Sequence, residues 1–420
     1  MIHVSGVKRL LAGAAVCVMV FAASPAAAQL PFPLLQQPGN PGQFLDLQEL
    51  QPTRRAPLTI TPSLTITEEY NDNVFFDNNN RKSDFITGFT PGIALTFERP
   101  TYRLTTAYNF TAELFARETS ESHAFDRQNF LLDTAWKVTP FLTLFLTDTF
   151  IFSTDTNLIA RENISSGRDR SLSNTLGGGA AYQLTEFWTL HGSASYTLER
   201  FEGNELVNSD VYRFNVGADR RLSSRLSVGV GYEFGYLDVE SSPKTTTHTP
   251  RVGAIWRATD TITLAVNGGP TFESANGVST RVTPTITASY AQRVFFGSVG
   301  LSYDRYVGTA SGFGGPTDND LVSGYLNITT LMRGLTVQFL PRYSNVQSPL
   351  SNRIDIQSFT AALAAIYRIT DFVAIIGGYQ FFHQRSSGTG LTNFGTAIAN
   401  DADQNRVFFG VTFGYPIKVD

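Results

Sequence analysis

Apolar residues alternate with polar or small residues along almost the whole chain from Leu58 onward. The ninth such stretch places apolar side chains on one face and small or polar ones on the other: Leu226, Val228, Val230, Tyr232 and Phe234 against Ser227, Gly229, Gly231 and Glu233. A period of two residues predicts β-strands with one apolar face. We predict eighteen strands, which begin near Leu58, Ser83, Thr101, Phe125, Phe141, Arg170, Phe187, Asp210, Arg225, Thr247, Ile262, Ser279, Val294, Asp318, Leu335, Arg353, Phe372 and Gln404.

A short phrase recurs five times between these strands. Each copy has a hydroxyl residue just before a polar turn, at Thr139, Thr185, Ser223, Thr259 and Thr370. The steps between the copies are 46, 38, 36 and 111 residues, the last close to three times 37. A repeated two-strand unit of this size is typical of an up-and-down β-barrel. Short connections follow the even strands, and longer polar ones, such as 71–82, 154–169 and 387–403, follow the odd strands.

These patterns predict an all-β protein, a transmembrane antiparallel up-and-down β-barrel of about eighteen strands over residues 58–420. Short periplasmic turns and long outer loops are the expected asymmetry, so we place both termini in the periplasm. A ring of eighteen strands encloses water rather than a packed core, which leaves the apolar faces for lipid. Six prolines fall inside predicted strands and weaken the pattern locally: Pro62, Pro91, Pro250, Pro270, Pro284 and Pro341.

Composition narrows the class of protein. The formal net charge of −4 shows no basic excess, so we expect no nucleic acid as a partner. Hydrophobic residues make up 42% of the chain, yet after the N-terminal region no apolar run is long enough for a membrane helix. The 33 phenylalanines and 16 tyrosines suit the aromatic girdles of an outer-membrane barrel.

The N-terminal region predicts export. Residues 1–28 resemble a signal peptide, with Lys8 and Arg9 before an apolar core and Ala26–Ala28 as the cleavage site. The only cysteine, Cys17, lies within it. Residues 29–57 are rich in proline and glutamine, and we interpret them as a loose periplasmic segment.

Charged residues on the polar strand faces are the candidate functional set. By alternation the inward basic residues are Arg103, Arg117, Arg127, Lys137, Arg213, Arg221, Arg251, Arg257, Arg281, Arg342 and Arg406; the inward acidic residues are Glu113, Asp133, Glu199, Asp219, Glu233, Glu273 and Asp304. They suit either selectivity for an anionic solute or a mutually paired, hydrated wall with little selectivity.

The sequence offers no candidate active site. Four of the five histidines lie in different predicted hairpins, without metal-ligand spacing, so we expect no enzyme, no catalytic residue, no metal and no cofactor. Asp72, Asn73 and Asp77 could ligate calcium through oxygen atoms, although a turn-rich loop has the same composition.

The first two strands carry a recognisable motif. Tyr70, Asp72, Asn73 and Val74 follow the first strand, and Ser83, Asp84, Thr90, Pro91 and Gly92 follow in turn. This opening resembles that of the β-barrel porin 2 family, a resemblance that continues through the repeated turns and covers most of the chain after residue 57. It implies an outer-membrane barrel often associated with exopolysaccharide production in Gram-negative bacteria.

The last strand resembles a terminal assembly signal. Phe409, Val411, Phe413 and Tyr415 share one face, as in barrels whose final strand is read by the assembly machinery, but this chain continues for five residues beyond Tyr415. We therefore expect outer-membrane lipids and the barrel assembly machinery as partners. The function we expect is a porin-like channel or conduit for exopolysaccharide or other solutes; the alternative is an occluded structural barrel that binds proteins of a polysaccharide export system.

Overall fold

The computed structural model describes residues 58–203, 206–240, 242–275, 279–349, 354–387 and 401–419, so the predicted signal peptide and the proline-rich segment lie outside it. The strands are β1 Leu58–Asn71, β2 Asp84–Arg99, β3 Tyr102–Phe115, β4 His123–Lys137, β5 Leu142–Asp155, β6 Arg168–Gln183, β7 Trp188–Phe201, β8 Ser209–Arg221, β9 Leu226–Val239, β10 Thr245–Arg257, β11 Ile262–Ala275, β12 Arg281–Val294, β13 Gly297–Ala310, β14 Gly314–Ile328, β15 Leu335–Gln347, β16 Asp355–Arg368, β17 Val373–Ser386, β18 Ala402–Gly414 and β19 Ile417–Val419. Among the described residues, no helix is long and apolar enough to cross a membrane.

The sheet closes on itself. Each of the eighteen long strands pairs antiparallel with the next, and β1 also pairs with β18 from Ser63–Gly414 to Asn71–Arg406. The short β19 continues this closure by pairing with Leu58–Ile60. The prediction of an eighteen-strand antiparallel barrel is confirmed, and each of the eighteen long strands begins within four residues of its predicted position.

The recurring hydroxyl residue explains five of the short turns. The Thr139 Oγ1 accepts the main-chain N–H groups of Phe141 and Leu142, at 3.2 and 2.9 Å. The same bonds recur at Thr185, Ser223 and Thr259, and Thr370 accepts the N–H of Phe372. Because a hydroxyl can satisfy turn N–H groups locally, each phrase forms its hairpin without help from distant residues.

The two faces of the wall differ as the alternation predicts. Outward-facing Val216, Val230 and Val252 are more than half exposed, whereas inward-facing Thr61 and Thr249 are buried. A soluble protein does not normally expose such a belt of apolar residues. Lipid is the surrounding that would cover it.

All six prolines lie within strands, and the sheet accommodates three of them by local gaps in pairing. The β2–β3 pairing skips Pro91, the β10–β11 pairing skips Pro250, and the β14–β15 pairing skips Pro341. Proline lacks the N–H that would donate to the neighbouring strand, so a local gap in pairing avoids leaving an acceptor without its donor.

Side chains reinforce the closure between β1 and β18. The hydroxyls of Thr65 and Thr412 are 3.0 Å apart inside the barrel. Arg406 donates to both carboxylate oxygens of Glu69, at 2.7 and 3.0 Å. The first and last long strands of the chain are therefore held by bonds on the lumen side as well as by the sheet.

The face assignment predicts opposite effects for adjacent substitutions. Val216→Arg places a charge in lipid and should cost about 2–4 kcal/mol near the midplane, whereas Asn215→Arg places it in the lumen beside Glu233. Urea unfolding of the refolded barrel in lipid vesicles measures both. Equal destabilisation by the two substitutions would show that the faces are wrongly assigned.

Candidate functional site

The third long connection folds into the lumen. β5 ends at Asp155 and β6 begins at Arg168, and we call residues 156–167 the lumen loop. The alternation predicted a polar outer loop here, and that prediction is wrong. The loop carries apolar residues that are almost fully buried, at Leu158, Ile159, Ala160 and Ile164.

Specific hydrogen bonds anchor the lumen loop to the wall. Asn163 has a positive φ of 58°, which asparagine tolerates better than most residues, and the Thr360 hydroxyl donates to its Oδ1 at 2.8 Å. The N–H of Ser165 donates to Gln384 Oε1 at 2.8 Å, and Gln384 Nε2 donates back to the Ser165 carbonyl. The loop thus leaves the wall at β5 and reaches β16 and β17, about a third of the way round the ring.

The end of the β13–β14 hairpin is a second inward element. Pairing between β12 and β13 stops at Ile286–Arg305, and beyond it every residue from Tyr306 to Ala310 is buried instead of every second one. We call residues 307–314 the hairpin tip. It extends as far as the β7–β8 connection, where Gly312 forms a β-bridge with Val207.

The two inward elements share an apolar core inside the barrel. Ala160 and Ile164 of the lumen loop pack with Ala310 of the hairpin tip and with wall residues Val346, Ile354 and Ile356. The expectation that the ring encloses water rather than a packed core is therefore wrong at this level. Any solute path has to pass the narrowing that the loop and the tip create.

Charged groups lie where the lumen loop meets β13 and β15. The Arg161 guanidinium carbon is 4.3 Å from the centre of the Tyr306 ring, and the Tyr306 hydroxyl donates to Glu162 Oε1 at 3.1 Å. Arg342 donates from Nη2 to the Arg161 carbonyl. Burial raises the pKa of the Glu162 carboxyl above its usual range, although nearby Arg161 and Tyr306 act in the opposite direction. We call Arg161, Glu162, Tyr306 and Arg342 the constriction cluster.

Many of the sequence-predicted lumen charges pair with one another. The structure joins Arg103 to Asp133 at 2.9 Å, Arg127 to Glu113 at 3.2 Å, Arg213 and Arg251 to Glu233 at 3.1 and 2.8 Å, and Arg281 to Glu273 and Asp318. Asp219 lies 3.0 Å from His191. Arg257 is exposed at the end of β10, and Arg117 lies beyond β3, where its side chain donates to Ser83. The paired arrangement leaves few of these charges available to a solute.

A buried ion network holds the base of the lumen loop. Asp155 accepts from Arg168 at 2.6 Å and from Arg406 at 3.0 Å, and Arg168 also pairs with Glu121 at 3.0 Å. Because Arg406 also binds Glu69, the network links the loop to the closure between β1 and β18. Pairing of this kind offsets the cost of burying these charges.

Sequence reasoning missed Arg161, Glu162, Asp155, Arg168 and Tyr306. The available signal was the apolar content of residues 158–164, which does not suit a loop in water. The Arg161–Glu162 dipeptide lies inside that run, so burial of the run carries both charges into the lumen. Alternation could not find Arg161 or Glu162, because neither lies on a strand.

The family-motif residues anchor the connections next to the closure. Asp72 accepts both the N–H and the side-chain amide of Asn405, at 2.6 and 2.7 Å, and Asn73 Nδ2 donates to the Asp403 carbonyl at 2.8 Å. Fully buried Asp84 accepts the N–H groups of Arg117 and Glu118. These contacts explain the motif as a structural element that ties the first two long connections to the wall.

The other motif residues pack locally. Val74 is buried with Ile86 and Phe115, and Tyr70 faces outward next to Phe85, with ring centres 5.2 Å apart. Gly92 faces inward, where a β-carbon would lie 2.9 Å from the Ser63 hydroxyl, and its neighbour Pro91 pairs with Leu64.

The predicted terminal signal lies on the outer face of the last long strand. Phe409, Phe413 and Tyr415 are exposed there, and Val411 lies between them on the same face. The residues that follow Tyr415 form β19. Recognition by the assembly machinery stays a prediction.

The oxygen atoms that suggested calcium serve the loop itself. Asp77 Oδ1 accepts the N–H groups of Asn79 and Asn80, and Asn73 Oδ1 accepts the N–H of Asp77. Within the described ranges, no group of three or more histidine, cysteine or acidic residues could hold a metal ion.

These features define a class of protein: the chain forms an outer-membrane β-barrel whose lumen is narrowed by inward-folded segments. No family model matches the chain, and no curated protein matches it, so membership of the porin 2 family stays a prediction. Similar solved structures include OpdQ of Pseudomonas aeruginosa, at 12% identity and a TM-score of 0.44 over 86% of this chain and 98% of that one. The outer membrane protein OpdK of the same organism is 11% identical, with a TM-score of 0.45, over 86% of this chain and 99% of that one. OccAB4 of Acinetobacter baumannii is 12% identical, with a TM-score of 0.44, over 87% of this chain and 100% of that one.

Removing a member of the buried ion network should destabilise the barrel. Arg168→Met leaves Asp155 without one of its two partners, and loss of one partner of a buried pair costs about 3–5 kcal/mol. Arg225→Gln is the matched control, because its pair with Asp260 is exposed and should be worth about 1 kcal/mol or less. Urea unfolding in vesicles compares them; similar midpoints would contradict the network's role.

The lumen loop should loosen when its anchor is removed. Asn163→Ala loses the bonds to Ser358 and Thr360 and adds strain at the positive φ. In a Cys17→Ser background, a single cysteine at buried Ala160 should react slowly with a water-soluble thiol reagent, and much faster once Asn163 is replaced. Fast labelling in both proteins would mean that the loop is not held in the lumen.

Proposed function

We propose that this protein is a porin-like channel that lets hydrophilic solutes cross the outer membrane. The observation that carries the proposal is the closed eighteen-strand ring with polar residues inside and apolar residues outside. A polar lumen behind a continuous wall is the arrangement that water and ions can enter. We place the short-turn end in the periplasm, on the general asymmetry of such barrels.

The solute and partners belong to the same proposal. The resemblance of the opening motif to the porin 2 family supports exopolysaccharide, or another solute, as cargo, and export proteins as partners at the periplasmic end. Outer-membrane lipids would cover the belt that contains Val230 and Phe409. The barrel assembly machinery would insert the chain through the strand that ends near Tyr415.

One observation favours the alternative of an occluded structural or assembly barrel. The lumen loop and the hairpin tip pack an apolar core inside the ring, and such a core excludes water. In that case the connections at the long-loop end, rather than the lumen, would contact partners. Conductance separates the two functions, because only an open lumen carries ions.

Reconstituted protein should form ion-conducting pores with a weak preference for anions. The sequence-predicted inward set is richer in arginine than in carboxylate, so the lumen concentrates anions, and salt screens the field. The measurement is the reversal potential in planar bilayers across a potassium chloride gradient, at low and at high mean salt. The preference should fade as ionic strength rises.

Charge reversal provides the control for this measurement. Replacing Arg213, Arg251 and Arg257 with glutamate should shift the preference toward cations. The negative charge of Glu233 adds to this shift, because Glu233 then loses both of its arginine partners. A folded, reconstituted barrel without conductance would favour the structural alternative over the channel.

A further inference from the structure

Arg161 differs from the paired arginines of the lumen wall. Its neighbours in the loop are buried, but Arg161 itself is exposed, and it lies over Tyr306 in the narrowed part of the lumen. Over the part of the chain that the structure describes, no carboxylate oxygen lies within 4.0 Å of its guanidinium nitrogens, whereas Arg103, Arg127, Arg213, Arg251 and Arg281 each have one. A charge held here without a close counter-ion is available to a solute.

Arg342 adds a second cation behind it. Its side chain is 6% exposed, and its Nε and Nη1 atoms are buried without a hydrogen-bond partner. Its one described hydrogen bond, from Nη2, goes to the carbonyl of Arg161 itself. An uncompensated buried guanidinium costs stability, and such costs persist mainly at functional sites.

The described carboxylates around Arg161 and Arg342 do not form close ion pairs with them. Glu162, Glu233 and Asp304 are the acidic groups that face Arg161, and Glu233 is already bound by Arg213 and Arg251. Arg161 and Arg342 add two positive charges here, and among the described residues neither has a carboxylate oxygen within 4.0 Å of its guanidinium nitrogens. Arg161 is the more exposed of the two arginines, and its guanidinium lies over the Tyr306 ring.

We propose that Arg161, supported by the charge of Arg342, forms a binding site for the oxyanion group, carboxylate or phosphate, of a solute in the lumen. Guanidinium groups bind oxyanions through paired N–H donors, and a low-dielectric wall strengthens the attraction. This site would be where the predicted anion preference of the channel arises, so the proposal rests on the proposed channel function. The sequence-predicted wall arginines contribute less, because their carboxylate partners compete with the solute.

The test uses citrate as the probe, with the full-length mature barrel. Citrate on either side of a bilayer should reduce the chloride current, and Arg161→Gln should weaken this block roughly tenfold, the order expected for one charge-assisted hydrogen bond. Arg161→Glu should weaken it further and shift the reversal potential toward cations. Arg103→Gln, which removes an arginine paired with Asp133, should change the block less than twofold.

Citrate binding to the detergent-solubilised barrel, measured by isothermal titration calorimetry, separates the site from the channel. Binding that Arg161→Gln weakens, in a protein without conductance, would support the site and overturn the channel function. If the protein conducts ions and citrate blocks the native protein and Arg161→Gln equally, the channel function is supported and the proposed site is overturned. Equal loss of binding in Arg161→Gln and Arg103→Gln would also overturn it, since the lumen charge would then act as a whole.

Discussion

Hydrogen bonding of the main chain in lipid is the constraint on which this structure depends. The hydrocarbon region offers no partner for an N–H or carbonyl group, so a membrane-crossing sheet cannot keep a free edge. The contact between β1 and β18 removes both edges at once. This closure joins the first and last long strands of the chain, which explains why bonds on the lumen side accumulate there: the hydroxyls of Thr65 and Thr412, and the ion pair of Glu69 with Arg406.

The closure also determines what the interior can hold. An eighteen-strand ring is too wide for wall side chains to fill, so further chain has to enter if the lumen is to be narrowed. The lumen loop and the hairpin tip do so with alanine, isoleucine and valine contacts, and the buried network around Asp155 ties this interior to the wall. Among the described residues, Arg161 and Arg342 are exceptions to the general pairing of charges, and they lie at the narrowed level.

The fold could be predicted from the sequence because its signals are local. Alternation identifies the strands. In five short turns a hydroxyl residue accepts the N–H two residues later, and in four of them also the N–H three residues later, and the two signals together indicate a hairpin. The interior could not be predicted in this way. Whether residues 156–167 enter the lumen depends on contacts with Ser358, Thr360 and Gln384, roughly two hundred residues away. The pairing of Arg406 with Asp155 is likewise a consequence of closure, and periodicity contains no information about it.

The hydroxyl turns have a consequence for how such a barrel can arise. Because Thr139, Thr185, Ser223, Thr259 and Thr370 complete their turns with neighbouring residues alone, each hairpin is a self-sufficient module. Duplication of one module inserts two strands into the ring and leaves every other turn intact, so a gene can enlarge the circumference in steps of two. Only the contacts across the lumen and at the closure would then have to adapt, and these are the parts of the chain where we expect related barrels to diverge most.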